Sequence, residues 1–179
     1  MKLITRAGHP TRQVEPHEAP IGRLADYVEQ IVEVEGPIHL DEITARIRML
    51  WGLARAGSRI RAAVKAAAQR AVQRGTVVGG PFYSRPGKQV VVRDRSSITS
   101  PTLRRPDMLP AAEIEQAMVE IVESNFGAAR DDLVQAVSRA FGFASTSSQL
   151  RSLLLNEIEN LVQTGKLAER GDLLVRTKA

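Results

Sequence analysis

Apolar residues recur every three or four positions over most of the chain, which is the spacing of one face of an α-helix. Leu24, Val28, Ile31 and Val32, for example, lie on one side of such a helix, and charged residues lie on the other. This pattern predicts helices over residues 21–34, 42–50, 58–74, 111–124, 131–141 and 147–164. The protein is therefore predicted to be mainly helical.

The ends of the helices in the first half are marked by typical residues. A Glu-Gly-Pro sequence at residues 35–37 ends the first helix, and Asp41 and Ser58 are predicted to cap the second and third. Gly75 is expected to end the third helix. Trp51, in the turn before that helix, is expected to plug the core together with Leu53.

Short extended stretches follow the third helix of each half. They predict strand pairs at residues 76–78 and 89–92, and at residues 166–169 and 173–176. A ten-residue loop, residues 79–88, joins the first pair, and a tight turn joins the second. With one short extended piece at residues 38–40, the element order is that of a winged helix-turn-helix domain. The fold class is predicted to be mainly α with small β wings.

The second half of the chain repeats the first. Residues 24–77 align without a gap on residues 114–167, and eleven aligned positions are identical, among them Asp41/Asp131 and Arg61/Arg151. Two copies indicate tandem winged helix-turn-helix domains rather than a solenoid. The predicted organisation is a flexible N-terminal segment at residues 1–20, domain 1 at residues 21–95, a linker at residues 96–110 and domain 2 at residues 111–179.

Composition narrows the function classes. The chain has no cysteine, which excludes disulfides, cysteine-ligated metals and a thiol nucleophile. It has no apolar run of about 18 residues, and its first residues lack the apolar stretch of a signal peptide. We therefore expect a cytoplasmic location.

Charge is distributed unevenly between the two copies. Residues 36–95 hold twelve Lys and Arg against three Asp and Glu, whereas residues 111–179 hold seven against ten. Such asymmetry is typical of a nucleic-acid-facing domain beside one with another role. We expect domain 1 to contact nucleic acid, with duplex or branched DNA as the partner.

The third helix of domain 1 carries the candidate interface. The helical period places Ile60, Val64, Ala67, Ala68 and Ala71 in the core, so the opposite face, with Ala62 and Ala66 at its crest, is free to enter a groove. The predicted nucleic-acid-binding residues are Arg55, Arg59, Arg61, Lys65, Gln69, Arg70 and Arg74, with Arg85 and Lys88 in the wing. Arg59 and Gln69 are predicted to read base edges and the others to contact phosphates. Arg61 has a second interpretation, packing or an internal salt bridge, because its counterpart Arg151 lies in the acidic copy.

The same face of domain 2 carries no cation and one carboxylate, so we expect domain 2 to have a structural or protein-docking role. Three alternatives remain open at this point. The basic face of domain 1 could be a solvated helix surface. The chain could be a protein-docking or dimerisation module, which exposed Leu153 and Leu155 would favour. It could also be a sequence-specific transcription regulator, although no dimerisation segment is evident.

Catalytic chemistry is not indicated. His9, His17 and His39 are scattered, so no metal site is expected, and no cofactor is indicated. The glycine-rich residues 79–88 lack the spacing of a phosphate-binding loop. The carboxylate pairs at residues 131–132 and 157–159 have no neighbouring base. The chain alone is therefore expected not to be an enzyme.

Several segments resemble a known family. They are residues 35–43 (EGPIHLDEI), 51–60 (WGLARAGSRI), 92–95 (VRDR), 105–114 (RPDMLPAAEI) and 141–143 (FGF). They are similar to a bacterial domain of unknown function at the C-terminal end of large superfamily I helicase proteins that also carry a restriction-endonuclease-like (Vsr-like) domain. The resemblance implies an accessory module of a DNA-processing ATPase and nuclease, with a helicase or nuclease core as the partner of domain 2. It brings no catalytic residue with it.

Overall fold

A computed structural model describes residues 14–98 and 104–177. These residues form six α-helices and two three-stranded antiparallel sheets. The chain divides into two compact units between Gly87 and Lys88. The prediction of a mainly helical fold with small sheets is confirmed. Among the described residues, no helix is long and apolar enough to cross a membrane.

Unit 1 contains three helices and one sheet. In chain order its elements are α1 (Ile21–Glu35), β1 (Ile38–His39), α2 (Leu40–Leu50), α3 (Ser58–Gln73), β2 (Val78–Gly79) and β3 (Phe82–Ser84). Strand β3 lies between β1 and β2, and it is antiparallel to both. The core is formed by the apolar stripes of the three helices together with Ile38, Val77 and Tyr83. Trp51 and Leu53 are partly buried against this core, and the Trp51 ring meets Tyr27 edge-on at 5.2 Å between ring centroids.

The predicted caps of α2 and α3 are each displaced by one position or more. His39 caps α2, because its Nδ1 accepts a hydrogen bond from the backbone N–H of Asp41 at 3.1 Å. Gly57 is the N-cap of α3, and Ser58 is its first residue. Both helices therefore begin earlier than the usual preference for Asp and Ser at N-caps suggests.

The predicted ten-residue wing loop is wrong. Strand β2 already turns into β3 at Gly80 and Pro81, and residues 89–92 form no strand. Val92 instead packs against the core of unit 2, so residues 88–95, which the sequence assigned to domain 1, lie in unit 2. A run of valines indicates burial, but it does not indicate which core the side chains enter.

The N-terminal segment is described from Val14 onward, and residues 1–13 lie outside the described residues. Val14 is joined to the first unit, since its carbonyl oxygen accepts a hydrogen bond from Trp51 Nε1 at 3.0 Å. Residues 16–18 form a turn in which Glu18 N donates to Glu15 O. The described part of this segment is thus attached to α1 and to the turn after α2.

Unit 2 repeats the order of unit 1. Its elements are a 3₁₀ turn (Pro106–Met108), α4 (Ala111–Ser124), β4 (Ala128–Ala129), α5 (Arg130–Ala140), α6 (Ser148–Gln163), β5 (Leu167–Arg170) and β6 (Leu173–Arg176). Strand β6 lies between β4 and β5. The helices and strands agree with the predicted bounds to within one residue. Ser147 caps α6, as its hydroxyl accepts from Leu150 N at 3.2 Å.

The predicted linker contributes to the core of unit 2. Met108 and Leu109 are buried, and residues 99–103 lie outside the described residues. Before this gap, Arg95 N donates to the Phe141 carbonyl at 3.1 Å, and the Arg95 guanidinium lies over the Phe141 ring. Residues 92–96 are therefore an integral part of unit 2.

Candidate nucleic-acid interface

Helix α3 buries the apolar stripe that the sequence predicts. Ile60, Val64, Ala67, Ala68 and Ala71 are all buried in the core of unit 1. The opposite side is exposed over the whole length of the helix, apart from partial burial of Ala66. The prediction of which side of α3 is buried and which side is exposed is therefore confirmed.

The cations of α3 lie along both flanks of its exposed face. At about 100° per residue, Arg59 and Arg70 fall within about 20° of each other on one flank, roughly 16 Å apart along the axis. Arg61 and Lys65 lie on the other flank, and Ala62, Ala66, Gln69 and Gln73 occupy the crest between them. A low crest between two basic flanks allows the helix backbone to approach a polyanion closely.

Five exposed cations of this region have no carboxylate partner among the described residues. They are Arg55, Arg59, Arg61, Lys65 and Arg70. Arg70 Nη1 makes only a long contact of 3.4 Å with Gln73 Oε1. Since no described carboxylate neutralises them, their positive charge is available to a ligand.

Arg74, at the end of α3, is arranged differently. Its Nη1 lies 2.6 Å from Asp26 Oδ1 and 2.9 Å from Glu29 Oε1, both on α1. The hydrogen bonds to Asp26 and Glu29 raise the pKa of the Arg74 guanidinium above its ordinary value. The structure thus joins Arg74 to α1 and separates it from the five unpaired cations.

The two predicted wing cations are also separated from α3. Arg85 follows β3 directly and forms an ion pair with Glu33 near the end of α1. Lys88 is the first residue of unit 2 and is half-buried. Because the turn that joins β2 to β3 has only two residues, neither side chain lies on an extended wing.

Arg55 and Arg59 share a cleft that the sequence does not predict. It has a volume of about 380 Å³ and lies between the turn after α2, the start of α3 and the N-terminal segment, which contributes Glu15 and His17. Nδ1 of His17 lies 3.2 Å from Glu15 Oε2. One carboxylate, Glu15, therefore borders this end of the basic face.

The equivalent region of unit 2 is internally neutralised. Arg151 Nη2, the counterpart of Arg61, lies 2.6 Å from Asp131 Oδ1, and Arg130 pairs with both Glu159 and Glu169. The pKa of Arg130 is raised by the hydrogen bonds to Glu169 and Glu159. The salt bridge considered for Arg61 and Arg151 therefore exists only in the second copy, although the first copy also has the aspartate, Asp41.

Two further expectations can be compared with the structure. Leu153 and Leu155 are not exposed, as both are partly buried against the core of unit 2, so this expectation is wrong. No group of three or more potential metal ligands occurs within residues 14–98 and 104–177. An exposed apolar residue that the sequence analysis did not identify is Phe126, with 93% of its surface accessible.

The comparisons with known proteins identify one family. Residues 14–62 match a family described as "Protein of unknown function (DUF3320)". Neither a curated protein nor a solved structure matches the chain. The matched segment begins with the described N-terminal segment and continues through α1 and α2 into the first turn of α3, so it includes Arg55 and Arg59. Over that segment the chain is similar to a family whose function is not known.

Proposed function

We propose that the chain is a non-catalytic nucleic-acid-binding module that contacts duplex or branched DNA through the exposed face of α3. The observation that carries this proposal is the set of five exposed, unpaired cations around one helix. Unpaired Lys and Arg side chains gain most from phosphates, because binding releases the counterions condensed on DNA. A solvated helix surface needs no such separation of its cations from nearby carboxylates.

The proposal includes a winged helix-turn-helix architecture for both units. Its support is the order helix, strand, helix, helix, strand, strand in each unit, with the last strand in the centre of the sheet. In that architecture α3 is the recognition helix of unit 1. The wing of unit 1 is short, so the proposal assigns no groove contact to Arg85 or Lys88.

The dimensions of α3 are compatible with a major groove. A helix with its side chains is about 10–12 Å wide, and the major groove of B-DNA is about 12 Å wide. With the crest of α3 in the groove, Arg70 faces one phosphate backbone, and Arg61 and Lys65 face the other. Gln69, on the crest, and Arg59, beside it, are the residues proposed to reach base edges.

Unit 2 provides an internal contrast for this assignment. The helix of unit 2 that corresponds to α3 is α6, and it exposes Gln149, Ser152, Asn156 and Asn160. Arg130 of α5 and Arg151 of α6 are paired with acidic residues. Phosphate binding at this surface would require these ion pairs to open. We therefore assign the nucleic-acid contact to unit 1 alone.

Fluorescence anisotropy with labelled DNA tests the proposal. The variant Arg59→Glu/Lys65→Glu/Arg70→Glu should lose at least about a hundredfold in affinity. A matched control, Arg105→Glu/Arg139→Glu/Lys166→Glu, changes the net charge equally on exposed positions of unit 2 and should bind nearly as well as the wild type. Equal losses in both variants would show that total charge, rather than the α3 face, controls binding.

A duplex RNA of the same sequence gives a second comparison. Its major groove is too deep and narrow to admit a helix, so we expect weaker binding than to duplex DNA. Equal affinity for both duplexes would contradict insertion of α3 into a groove. It would leave only binding to the phosphate backbone.

The resemblance to the C-terminal modules of helicase proteins supports one more part of the proposal. An accessory module of a helicase and nuclease system meets DNA at junctions between duplex and single strands. The expectation is tighter binding to a forked duplex than to a blunt duplex of equal length. Equal binding would favour a general duplex-binding role and remove this support for the helicase association.

A further inference from the structure

Phe126 combines two features that rarely occur together. Its side chain is 93% exposed, and its backbone has a φ of 56°, in the left-handed region that a bulky residue avoids. A buried aromatic residue could explain such a conformation by the packing it gains. Phe126 gains no such packing within the described part of the chain. Its φ belongs to the C-terminal cap of α4, because Gly127 N donates to Val122 O at 2.9 Å and Phe126 N donates to Glu123 O at 3.2 Å. It is therefore the exposure of the ring that points to a contact outside the described residues.

Phe126 lies at the edge of an apolar sheet surface. On the inner side of the sheet, Leu167, Leu174 and Ala128 are buried in the core of unit 2. Because side chains alternate along a strand, Leu173 and Val175 point outward, and Leu173 is 45% exposed. Gly127, which follows Phe126, is close to both, since a Cβ at this glycine would lie 3.5 Å from Leu173 Cδ1 and 3.4 Å from Val175 Cγ1.

The neighbouring small residues extend this surface. Ala129 on β4 is paired with Leu173, and Ala168 on β5 is paired with Val175, so both lie on the outer side of the sheet. Each of them is partly exposed. The outer sheet face, consisting of Phe126, Ala129, Ala168, Leu173 and Val175, is therefore a continuous apolar surface on unit 2.

Two unpaired opposite charges border the outer sheet face. Arg170 is paired with Leu173 in the strand register, and Asp172 lies in the turn that joins β5 to β6. Both side chains belong to exposed residues, and neither has an ion-pair partner among the described residues. Of the other charged residues nearby, Glu123 pairs with Arg176, and Glu169 pairs with Arg130.

We propose that the outer sheet face is the interface of a symmetric homodimer. In a two-fold interface the same surface meets itself, so residue i contacts residue j of the partner and j contacts i. One unpaired cation and one unpaired anion beside an apolar centre are complementary to a second copy of the same surface. In the dimer, each Phe126 is buried against the partner's sheet, and Arg170 of each subunit faces the partner's Asp172.

Unit 1 does not offer the equivalent surface. Gly36 occupies the position equivalent to Phe126, and a Cβ there would lie 2.6 Å from the carbonyl oxygen of Val32. On its outer sheet face Phe82 is covered in part by His39, whose ring meets it edge-on at 5.0 Å. The proposed interface is thus specific to the second copy and does not depend on the DNA-binding proposal for α3.

Sedimentation equilibrium over a range of protein concentrations up to about 1 mM tests the proposal, since this range covers the affinities of small interfaces. The wild type should dimerise, and Phe126→Asp should weaken the dimer by about thirtyfold or more, as for an aromatic hot-spot residue. Val91→Asp, at an exposed valine of the same unit, is the matched control and should dimerise like the wild type. A wild type that stays monomeric throughout would overturn the proposal, and so would equal weakening by both variants.

A charge exchange tests the symmetry of the interface without altering its apolar centre. Arg170→Glu and Asp172→Arg should each weaken self-association, because each variant places like charges against each other. An equimolar mixture of the two variants should form a heterodimer with restored affinity. A mixture that associates no better than either variant alone would exclude the Arg170–Asp172 pairing and the two-fold arrangement built on it. Circular dichroism of each variant verifies that the fold is retained.

Discussion

Arg95 Nη2 lies 2.9 Å from Oε2 of Glu113, and both side chains are buried in unit 2. Arg93 adds a second guanidinium to the same carboxylate, with Nε 2.8 Å from Oε1. The three residues connect the segment before α4 to the first turn of that helix. A buried carboxylate is stable only when it is paired and hydrogen-bonded, so this contact fixes residues 93–95 to unit 2.

Removing the charge of Glu113 should therefore destabilise unit 2 strongly. Glu113→Gln removes the buried carboxylate that pairs with the Arg95 guanidinium, and we expect a loss of about 3 kcal/mol in the free energy of unfolding. Glu115→Gln, which removes a carboxylate from the same helix, should change it by less than about 1 kcal/mol because its ion pair with Lys166 is solvent-accessible. Urea unfolding followed by circular dichroism measures both. Similar losses would contradict a specific role for the buried network.

Gly52 and Gly142 occupy equivalent positions in the two copies but have different surroundings. Both have a positive φ, of 66° and 78°, so alanine should cost about 1 kcal/mol at either position. At Gly142 a Cβ would also lie 2.2 Å from Asp94 Oδ1 and 2.5 Å from Ser96 N, whereas at Gly52 no atom lies within 4 Å. Gly142→Ala should therefore be clearly the more destabilising of the two in thermal unfolding. Equal effects would show that the segment at residues 94–96 is not held against Phe141 and Gly142.

Asp94 should contribute a pH-dependent part of the stability of unit 2. The backbone N–H and the hydroxyl of Ser96 hydrogen-bond to its carboxylate and hold its pKa below the ordinary value. Because the folded-state pKa is the lower one, the stabilisation is present above the unfolded-state pKa and is lost as the pH falls through the folded-state pKa. Asp94→Asn should thus be less stable than the wild type at neutral pH, and the difference should shrink in acid. Asp132→Asn, at an exposed carboxylate of α5, serves as the control in the same pH series of thermal unfolding. A difference for Asp94→Asn that does not change with pH would contradict this role.

Substitution of Arg70 should affect DNA binding, and substitution of Arg74 should affect the stability of unit 1. Arg74→Gln breaks the ion pairs with Asp26 and Glu29, so it should lower the melting temperature of unit 1 and leave DNA affinity nearly unchanged. Arg70→Gln removes an unpaired cation, so it should weaken DNA binding and leave the melting temperature nearly unchanged. Anisotropy and thermal unfolding on the two variants provide the comparison. If Arg74→Gln weakened DNA binding more than Arg70→Gln, the interface would lie at the C-terminal end of α3, next to α1.

The sequence was most informative where the structure depends on local periodicity. The stripe at Ile60, Val64 and Ala71 predicted both the bounds of α3 and its buried side, since a helical face is determined by spacing alone. The helices of unit 2 followed from the same rule and from the internal repeat. The exposed cations on α3 were predicted for that reason too.

Contacts between distant parts of the chain could not be read from the sequence. Arg74 and Arg85 pair with acidic residues of α1 that lie 48 and 52 positions away in the sequence, so no local pattern distinguishes these two arginines from Arg59 or Arg70. The valines before Arg93 were assigned to the wrong unit because an apolar run does not specify its partner. Phe126 was missed because its exposure depends on a backbone conformation that the sequence Asn-Phe-Gly indicates only weakly.

The salt dependence of DNA binding is the most direct test of the central claim that the unpaired cations of α3 contact phosphates. The logarithm of the affinity should fall linearly with the logarithm of the salt concentration, and each phosphate contact should add about 0.9 to the slope. Arg61→Gln, Lys65→Gln and Arg70→Gln should each reduce the slope by about 1, and together by about 3. A slope that remains at the wild-type value in the triple variant would contradict the claim, because phosphates would then be contacted elsewhere.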